Sequence, residues 1–476
     1  LMNTGLHTFE AKKGTWGQRV SGDGIRTSPD PSFAERPIRD LQFLSGRLAL
    51  VTEYTSILSR ARNAYVFFPD TAQTNLDTAP IDYDVSNGSA TNIEFAVAVS
   101  GRLQFWGHEQ QTYLDSGQDA IKEDTTEVLP LANYEFDGET APRAIGPASM
   151  LFSTTVGRYS RITELLLQRS AVQGEIIISD HVPKLLLGSV RDIGPGEAAR
   201  KTFILTSGEP RKAYLYQWYN QGAERVQSAW NVWTFPAAKV VHWVGVRGAE
   251  ATFLMGWENG TTLEKCRLDS LGDEAGQRLP LRLDHRVSEA LGSFNGGAWE
   301  VELPFDVAVE DRGLFSCFER TDDPEESLQR GRELPLEWLN ASTVRVPVDK
   351  PSLEFFIGVV PTSRRVFSRF FARDRQDQPI IHDRLMLYRI AISHERTAQY
   401  DIVVRSWGGE ETVDTYVGRI LGDPETINDE VPVQTGSHEA SVNEEVENVE
   451  VELRNPTPFP CVWTAAKYTY ELTERA

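Results

Sequence analysis

Cysteine is nearly absent from this 476-residue chain, with three in all, Cys266, Cys317 and Cys461. They are far apart and form no paired motif, which argues against a disulfide framework or a zinc site and predicts buried free thiols. Nowhere do apolar residues run for the roughly 20 positions of a membrane helix, and no basic-then-apolar leader opens the chain. A soluble chain without an export signal is the expectation. Basic residues are in deficit, 48 Lys and Arg against 69 Asp and Glu, for a net charge of −21. That balance disfavours a conventional DNA-binding surface, which neutralises phosphates with Lys and Arg. The same sign would suit a passage along which DNA slides without sticking, although an acidic balance is more often a solubility feature.

Catalytic signatures are missing too. There is no Gly-rich phosphate loop, no Gly-x-Ser-x-Gly elbow, no His-Glu-x-x-His helix and no sialidase-type Asp box. Asp82-Tyr83-Asp84 with Asn87 and Gly88 weakly resembles a calcium loop, but the Gly falls one position late and no bidentate Glu follows. An Asx-rich turn is expected there. His382 and His394 are the nearest candidates for a shared site among eight histidines. Twelve residues apart with no third ligand, they read as structural.

What the chain does have is a repeat. Ser45-Gly46-Arg47-Leu48 recurs as Ser100-Gly101-Arg102-Leu103, each copy between short apolar runs, Leu41–Leu44 with Leu48–Val51 and Phe95–Val99 with Leu103–Trp106. Gly accepts the positive φ of a two-residue hairpin loop, so each copy predicts strand, tight turn, strand. Similar starts at Ala148–Ser153 and Thr202–Ser207 keep a period near the length of a four-stranded unit. The expected fold class is all-β, a β-propeller with an additional β-sandwich-like module.

The expected organisation is a lead-in segment over 1–40, propeller blades over 41–260, an insertion or connecting region over 261–351, a β-rich module over 352–422, and an acidic loop with closing strands over 423–476. Ile162–Leu187 and Asp269–Phe294 read as interruptions of the repeat, the first with room for a helical turn. In the later module, Leu353–Val360, Val366–Ala372, Arg384–Ser393 and Tyr400–Ser406 read as strands, with Met386, Tyr388, Ile390 and Ile392 on one face by alternation. Glu439, Glu444, Glu445, Glu447 and Glu450 predict a solvated acidic loop, and Asn448–Leu453 and Val462–Leu472 the closing strands.

Tyr214, Tyr216, Trp218 and Tyr219, with Trp230 and Trp233, have the composition of a stacking platform for sugars or bases, but their alternation fits core packing. The stretch that holds them, Leu205–Tyr219 followed by Glu224–Trp233, closely resembles a segment of the tail tubular protein B family, the nozzle proteins of short-tailed T7-like bacteriophages. Further matches keep the family's order: Trp16–Arg19, Ser21–Asp23, Pro29–Phe33, Arg36–Asp40, Phe43–Leu48, Ala64–Pro69, Ala79–Asp82, His181–Pro183, Phe356–Gly358, Phe367–Phe371, Arg384–Ile392 and Cys461–Trp463. The resemblance implies a chain that lacks the family's N-terminal region.

It also implies a structural, non-enzymatic part of the virion tail. Copies of the chain would form a ring, a hexamer, at the distal nozzle below a tail adaptor protein of the tail tubular A kind. The ring would hold fibres and pass DNA through its lumen without specific binding. No catalytic, cofactor-binding or metal residues, and no cofactor, are implied. Acidic loops such as Thr321–Glu326 or Glu439–Glu450 would repel phosphates if they lined the lumen. The alternative is a propeller-type protein that binds or hydrolyses glycans of the host surface, which needs a pair of carboxylates about 5 to 10 Å apart.

Overall fold

The computed structural model describes residues 2–5, 8–10, 14–85, 92–116, 121–168, 171–221, 224–269, 279–320, 331–373, 376, 378–380, 384–409, 411–418 and 431–473. Among these the fold is all-β, with short 3-10 turns and no α-helix. The chain divides into two units, Leu1–Thr234 with Lys239–Met255 and Leu263–Asp269, and Phe235–Ala238 with Gly256–Thr262 and Ser270–Ala476.

The first unit is propeller-like. Successive antiparallel sheets each take four strands in chain order: Asp40–Leu44 to Ile81–Asp84, Ile93–Val99 to Glu127–Ala132, Arg143–Gly146 to Ala171–Ile177, and Val190–Gly196 to Glu224–Thr234. A three-stranded sheet beginning with Val240–Arg247 follows. The first strands of consecutive sheets lie side by side. A single sheet has no interior, so apolar side chains on its faces must be covered by neighbours. Leu44, Ala49, Leu58 and Ile81 of the first sheet accordingly share a core with Ala96, Leu103, Phe105 and Leu114 of the second. Trp106 of the second packs with Phe152 and Leu165 of the third, and Ile162 of the third with Ile204 and Tyr216 of the fourth.

Both repeated turns fold as their composition demands. Ser45 and Gly46 have φ of 49° and 76°, and Ser100 and Gly101 have 53° and 74°, the pair of positive values that a type I′ hairpin requires. The arginines that follow diverge. Arg47 is 3% exposed and donates to the carbonyls of Ser59 (2.9 Å), Ala79 (2.6 Å) and Asp77 (2.8 Å). Arg102 instead pairs with Asp115 at 2.8 Å. The later starts fall on Ser149–Val156 and Lys201–Thr206, each the second strand of its sheet, as Arg47–Val51 and Arg102–Gly107 are of theirs.

Ile162–Leu187 does not interrupt this series, and its described residues hold hydrogen-bonded turns over 178–184 but no helix. Tyr159–Gln168 and Ala171–Ile177 are the outer hairpin of the third sheet. A register shift between Leu166 and Leu167 breaks the period-two pattern that marks a strand in sequence.

The second unit joins strands distant in the chain. Phe355–Val359 lies between Asp284–Ser288 and Phe315–Glu319, so it belongs with the preceding region and not with the strands after it. Of the expected strand 366–372, only the ends are strand, in Ser363–Val366 and Ala372–Arg373. The sandwich-like module packs the sheet Ser363–Val366, Val449–Asn455, Gln399–Ser406, Glu411–Val417 against the sheet Gln434–Glu445, Arg384–Thr397, Val462–Thr473. Leu385, Leu387, Ile390 and Ile392 face its core, where Met386 and Tyr388 were expected with the two isoleucines. A bulge between Leu387 and Arg389 shifts the alternation by one residue.

Gly101→Ala, where an added Cβ meets nothing within 4 Å, should cost about 1 kcal/mol through its positive φ alone. Gly194→Ala should cost clearly more, because its Cβ would stand 2.6 Å from the carbonyl oxygen of Val244. Urea denaturation of the two variants measures the difference.

Candidate functional site

Charged side chains inside β-sheets need a partner or they unfold what they sit in. Two such places stand out here, and both clamp strands together. In the first unit, Glu164 on Tyr159–Gln168 is 1% exposed between apolar neighbours. Arg225, on Glu224–Thr234 of the next sheet, grips it with both guanidinium nitrogens, one bond being Nη2 to Oε1 at 3.1 Å. The Ser149 hydroxyl donates to Oε1 at 2.7 Å, and Tyr216 Oη lies 3.3 Å from Arg225 Nη1. The bonds to Glu164 raise the Arg225 pKa above its ordinary value despite burial.

The aromatic strand forms the surroundings of this clamp. Tyr214 and Tyr216 are each 1% exposed, Tyr216 stacks on Trp218 at 5.6 Å, and Trp230 Nε1 donates to the Ile178 carbonyl at 2.9 Å. Burial pushes the phenols of both tyrosines up. The buried rings are core, as their alternation implied; Tyr219, past the last buried position, is exposed.

The second clamp lies in the sandwich-like module. Glu452 is fully buried, and its carboxylate accepts from Arg405 (2.7 Å), Arg454 (2.9 Å) and Arg364 (2.9 Å), three strands meeting on one group. Burial opposes its ionisation, but the three guanidinium bonds outweigh that and hold its pKa at about 2. Glu411 and Glu450 extend the network through Arg405 at 2.9 and 2.8 Å.

The expected acidic loop is therefore a correction. Gln434–Glu445 is a strand, and Glu447 and Glu450 lie in the turn and strand after it. Glu439 pairs with Arg389 at 2.9 Å, Glu445 with Arg384 at 3.2 Å and Glu447 with Arg369 at 2.6 Å, while Glu444 accepts from the Ser406 hydroxyl at 3.1 Å. Apart from Glu444, these charges that looked free in sequence are matched by arginines 50 to 78 positions away in the chain. Thr321–Glu326 lies outside the described residues.

The remaining candidates do not converge. Asp82, Tyr83 and Asp84 are extended in a strand paired with Thr55–Leu58, and Asp82 Oδ2 accepts from the Ser32 amide at 2.9 Å; a calcium loop needs a curled backbone. Asn87, Gly88 and His382 lie outside the described residues. His394 is 2% exposed, with Nδ1 3.1 Å from the Tyr400 hydroxyl, and burial lowers its pKa. Cys317 is fully buried, whereas Cys266 and Cys461 are only half-buried, so the expectation of three buried thiols holds for one. Burial pushes the Cys461 thiol up to about 12, far from a reactive thiolate. Among the described residues no group of three or more His, Cys, Asp or Glu could hold a metal ion, and no helix is long and apolar enough to cross a membrane.

Comparison with known proteins places these clamps and ladders in a family. The model of the bacteriophage nozzle protein family matches residues 1–476. The chain belongs to that family. It is thus a structural component of the phage virion tail. Tail tubular protein gp12 of Escherichia phage T7 is 26% identical over 232 residues, 48% of this chain and 28% of gp12. The match thus spans little more than a quarter of that relative's length. Among solved structures, the WD40 domain of Neurospora crassa Pan2 is 10% identical with a TM-score of 0.30, covering 69% of this nozzle chain and 91% of that one. Hsv2 of Kluyveromyces lactis is 12% identical with a TM-score of 0.28, covering 50% and 76%. An exo-beta-1,3-galactanase from Phanerochaete chrysosporium is 7% identical at 0.24, covering 90% and 95%.

Sequence reasoning missed both clamps. The available signal was a glutamate inside an apolar strand, as in Ile162-Thr-Glu-Leu-Leu-Leu167 or Val449-Glu-Val-Glu-Leu453. Its partner could not be read, since Arg225 lies 61 residues beyond Glu164.

Arg225→Met should destabilise the protein by about 3 to 5 kcal/mol by stranding a buried carboxylate, and Glu164→Met added to it should recover most of the loss. Scanning calorimetry of the single and double variants tests this. Because the folded pKa of Glu452 is depressed, its contribution is complete above the ordinary glutamate value of 4.5 and is lost as pH falls toward about 2. Glu452→Gln should therefore remove part of the stability difference between those two pH values in urea titrations.

Proposed function

We propose that this chain builds the wall of the distal tail nozzle, with six copies in a closed ring through which DNA leaves the particle. The single observation that carries this reading is the match of the nozzle family's model along all 476 residues. The fold supports it physically. Sheets locked by antiparallel ladders and cross-sheet ion pairs deform little, as segments of a pressure-bearing tube must, and head-to-tail contacts between such wedges close a ring.

In this reading the blades within 41–260 and the module after 352 act as rigid bodies, and the upper rim meets a tail adaptor protein while outer surfaces hold fibres. DNA passes without specific binding, since a net charge of −21 repels phosphates along any surface that lacks a basic patch. The role is mechanical and requires no catalysis. The glycan-binding alternative loses its best platform, because Tyr214 and Tyr216 are buried.

Gold-labelled antibody against the chain, applied to purified particles of the phage that encodes it, should mark the distal tip of the tail. Label at the head–tail junction or on the fibres, or particles without label, would overturn the assignment.

A further inference from the structure

Among the described residues no further strand pairs with either edge of one sheet in the sandwich-like module, and the two edges are complementary to each other. The sheet runs Ser363–Val366, Val449–Asn455, Gln399–Ser406, Glu411–Val417, with every neighbouring pair antiparallel. All four residues of the Ser363–Val366 edge are exposed, and it carries Arg364 and Arg365. The opposite edge is mostly exposed and carries Glu411 and Asp414. Each edge also shows solvent a valine, Val366 at 38% on one and Val413 at 49% and Val417 at 44% on the other.

The register of the sheet lines these residues up. Reading straight across the strands, one row is Arg365, Leu453, Ile402, Asp414, and the next is Val366, Glu452, Val403, Val413. If a second copy continues the sheet without sliding along the strands, its Asp414 falls opposite Arg365 and its Val413 opposite Val366. Strand direction also agrees, because a fifth strand beside Ser363–Val366 must be antiparallel to it, and Glu411–Val417 already is. Directly opposed residues share a face of the sheet, so one register makes an ion pair and an apolar pair together.

We propose that Glu411–Val417 of one copy adds to the Ser363–Val366 edge of the next, continuing this sheet from subunit to subunit around the ring. The partner is a second copy of this chain, which supplies the acidic edge that the basic edge lacks. Resting on the ring reading above, this contact is heterologous, the kind that closes into a ring, and it covers edges whose open backbone groups otherwise invite unspecific pairing. Arg365 is the sharpest determinant, since Arg364 is already engaged by Glu452 at 2.9 Å. Asp414 keeps an exposed carboxylate edge although it also meets His438 at 2.9 Å.

The test is sedimentation velocity on the full 476-residue chain, with a cross-link that reports the contact itself. Arg365→Glu and Asp414→Arg should each raise the dissociation constant of the assembly at least about tenfold, and the two together should restore it, because the charges are exchanged. Val366→Cys with Val413→Cys should give disulfide-linked ladders under mild oxidation, above the background of the chain's own thiols. Within one copy these positions are three strand spacings apart, roughly 14 Å, beyond the ~7 Å Cα separation a disulfide spans, so a link can form only between copies. Rings that are unaffected by the charge variants and give no ladder would overturn the edge pairing and leave the ring reading intact. A wild-type chain that stays monomeric at every concentration, together with a double-cysteine variant that gives no ladder, would overturn both.

Discussion

A thin antiparallel sheet has two faces and no inside. Everything in this protein depends on how those faces are covered. In the first unit the answer is serial: consecutive sheets lean on one another, and in the second sheet apolar residues such as Leu103 and Phe105 point to one neighbour while Trp106 points to the other. A residue on either face is therefore buried, which is why Leu48–Val51 reads as a continuous apolar run and not as an alternation, with Ala49 and Val51 against the second sheet and Leu48 and Leu50 against Phe33 and Phe67. In the sandwich-like module two sheets close on one shared core, and the outward face of one of them is sealed by a carboxylate held under three arginines.

Ion pairs in such a design are fasteners more than sources of net stability. A buried pair roughly breaks even against an apolar replacement, yet breaking it is costly, so it selects one arrangement of strands over all others. Glu164 with Arg225 fixes the third sheet against the fourth, and Glu452 ties three strands. In the ring proposed above this specificity is useful, because each subunit would present the same edges to its neighbours.

Much of the plan was legible in the chain. Ser-Gly at 45–46 and 100–101 announced tight hairpins because few other residues accept two consecutive positive φ values, and the aromatic alternation of Tyr214 and Tyr216 announced a core strand. The misreadings share one cause. Local patterns assume an unbroken period of two, and single-residue bulges near Leu167 and Arg389 reset it, hiding a strand pair in one case and reversing the faces of a strand in the other. The acidic stretch at 439–450 failed differently: Glu439, Glu447 and Glu450 are exposed as charge density predicts, but they stand on strands and a turn and pair with arginines that the local sequence does not show.

By itself, then, the order of residues determined much of the local geometry of this protein: which turns are tight, most of the runs that are strands, and, through motifs kept in order, the family to which it belongs. Tertiary structure alone decided which strands distant in the chain became neighbours, and with that the partners of Glu164, Glu452 and Glu439 to Glu450 and the lateral register of every sheet. The reason is physical. Turn chemistry and strand pattern act over a few residues, whereas an ion pair or a row of cross-strand neighbours exists only after the chain between them, 61 residues for Glu164 and Arg225 and 78 for Arg369 and Glu447, has been closed by the packing of whole sheets.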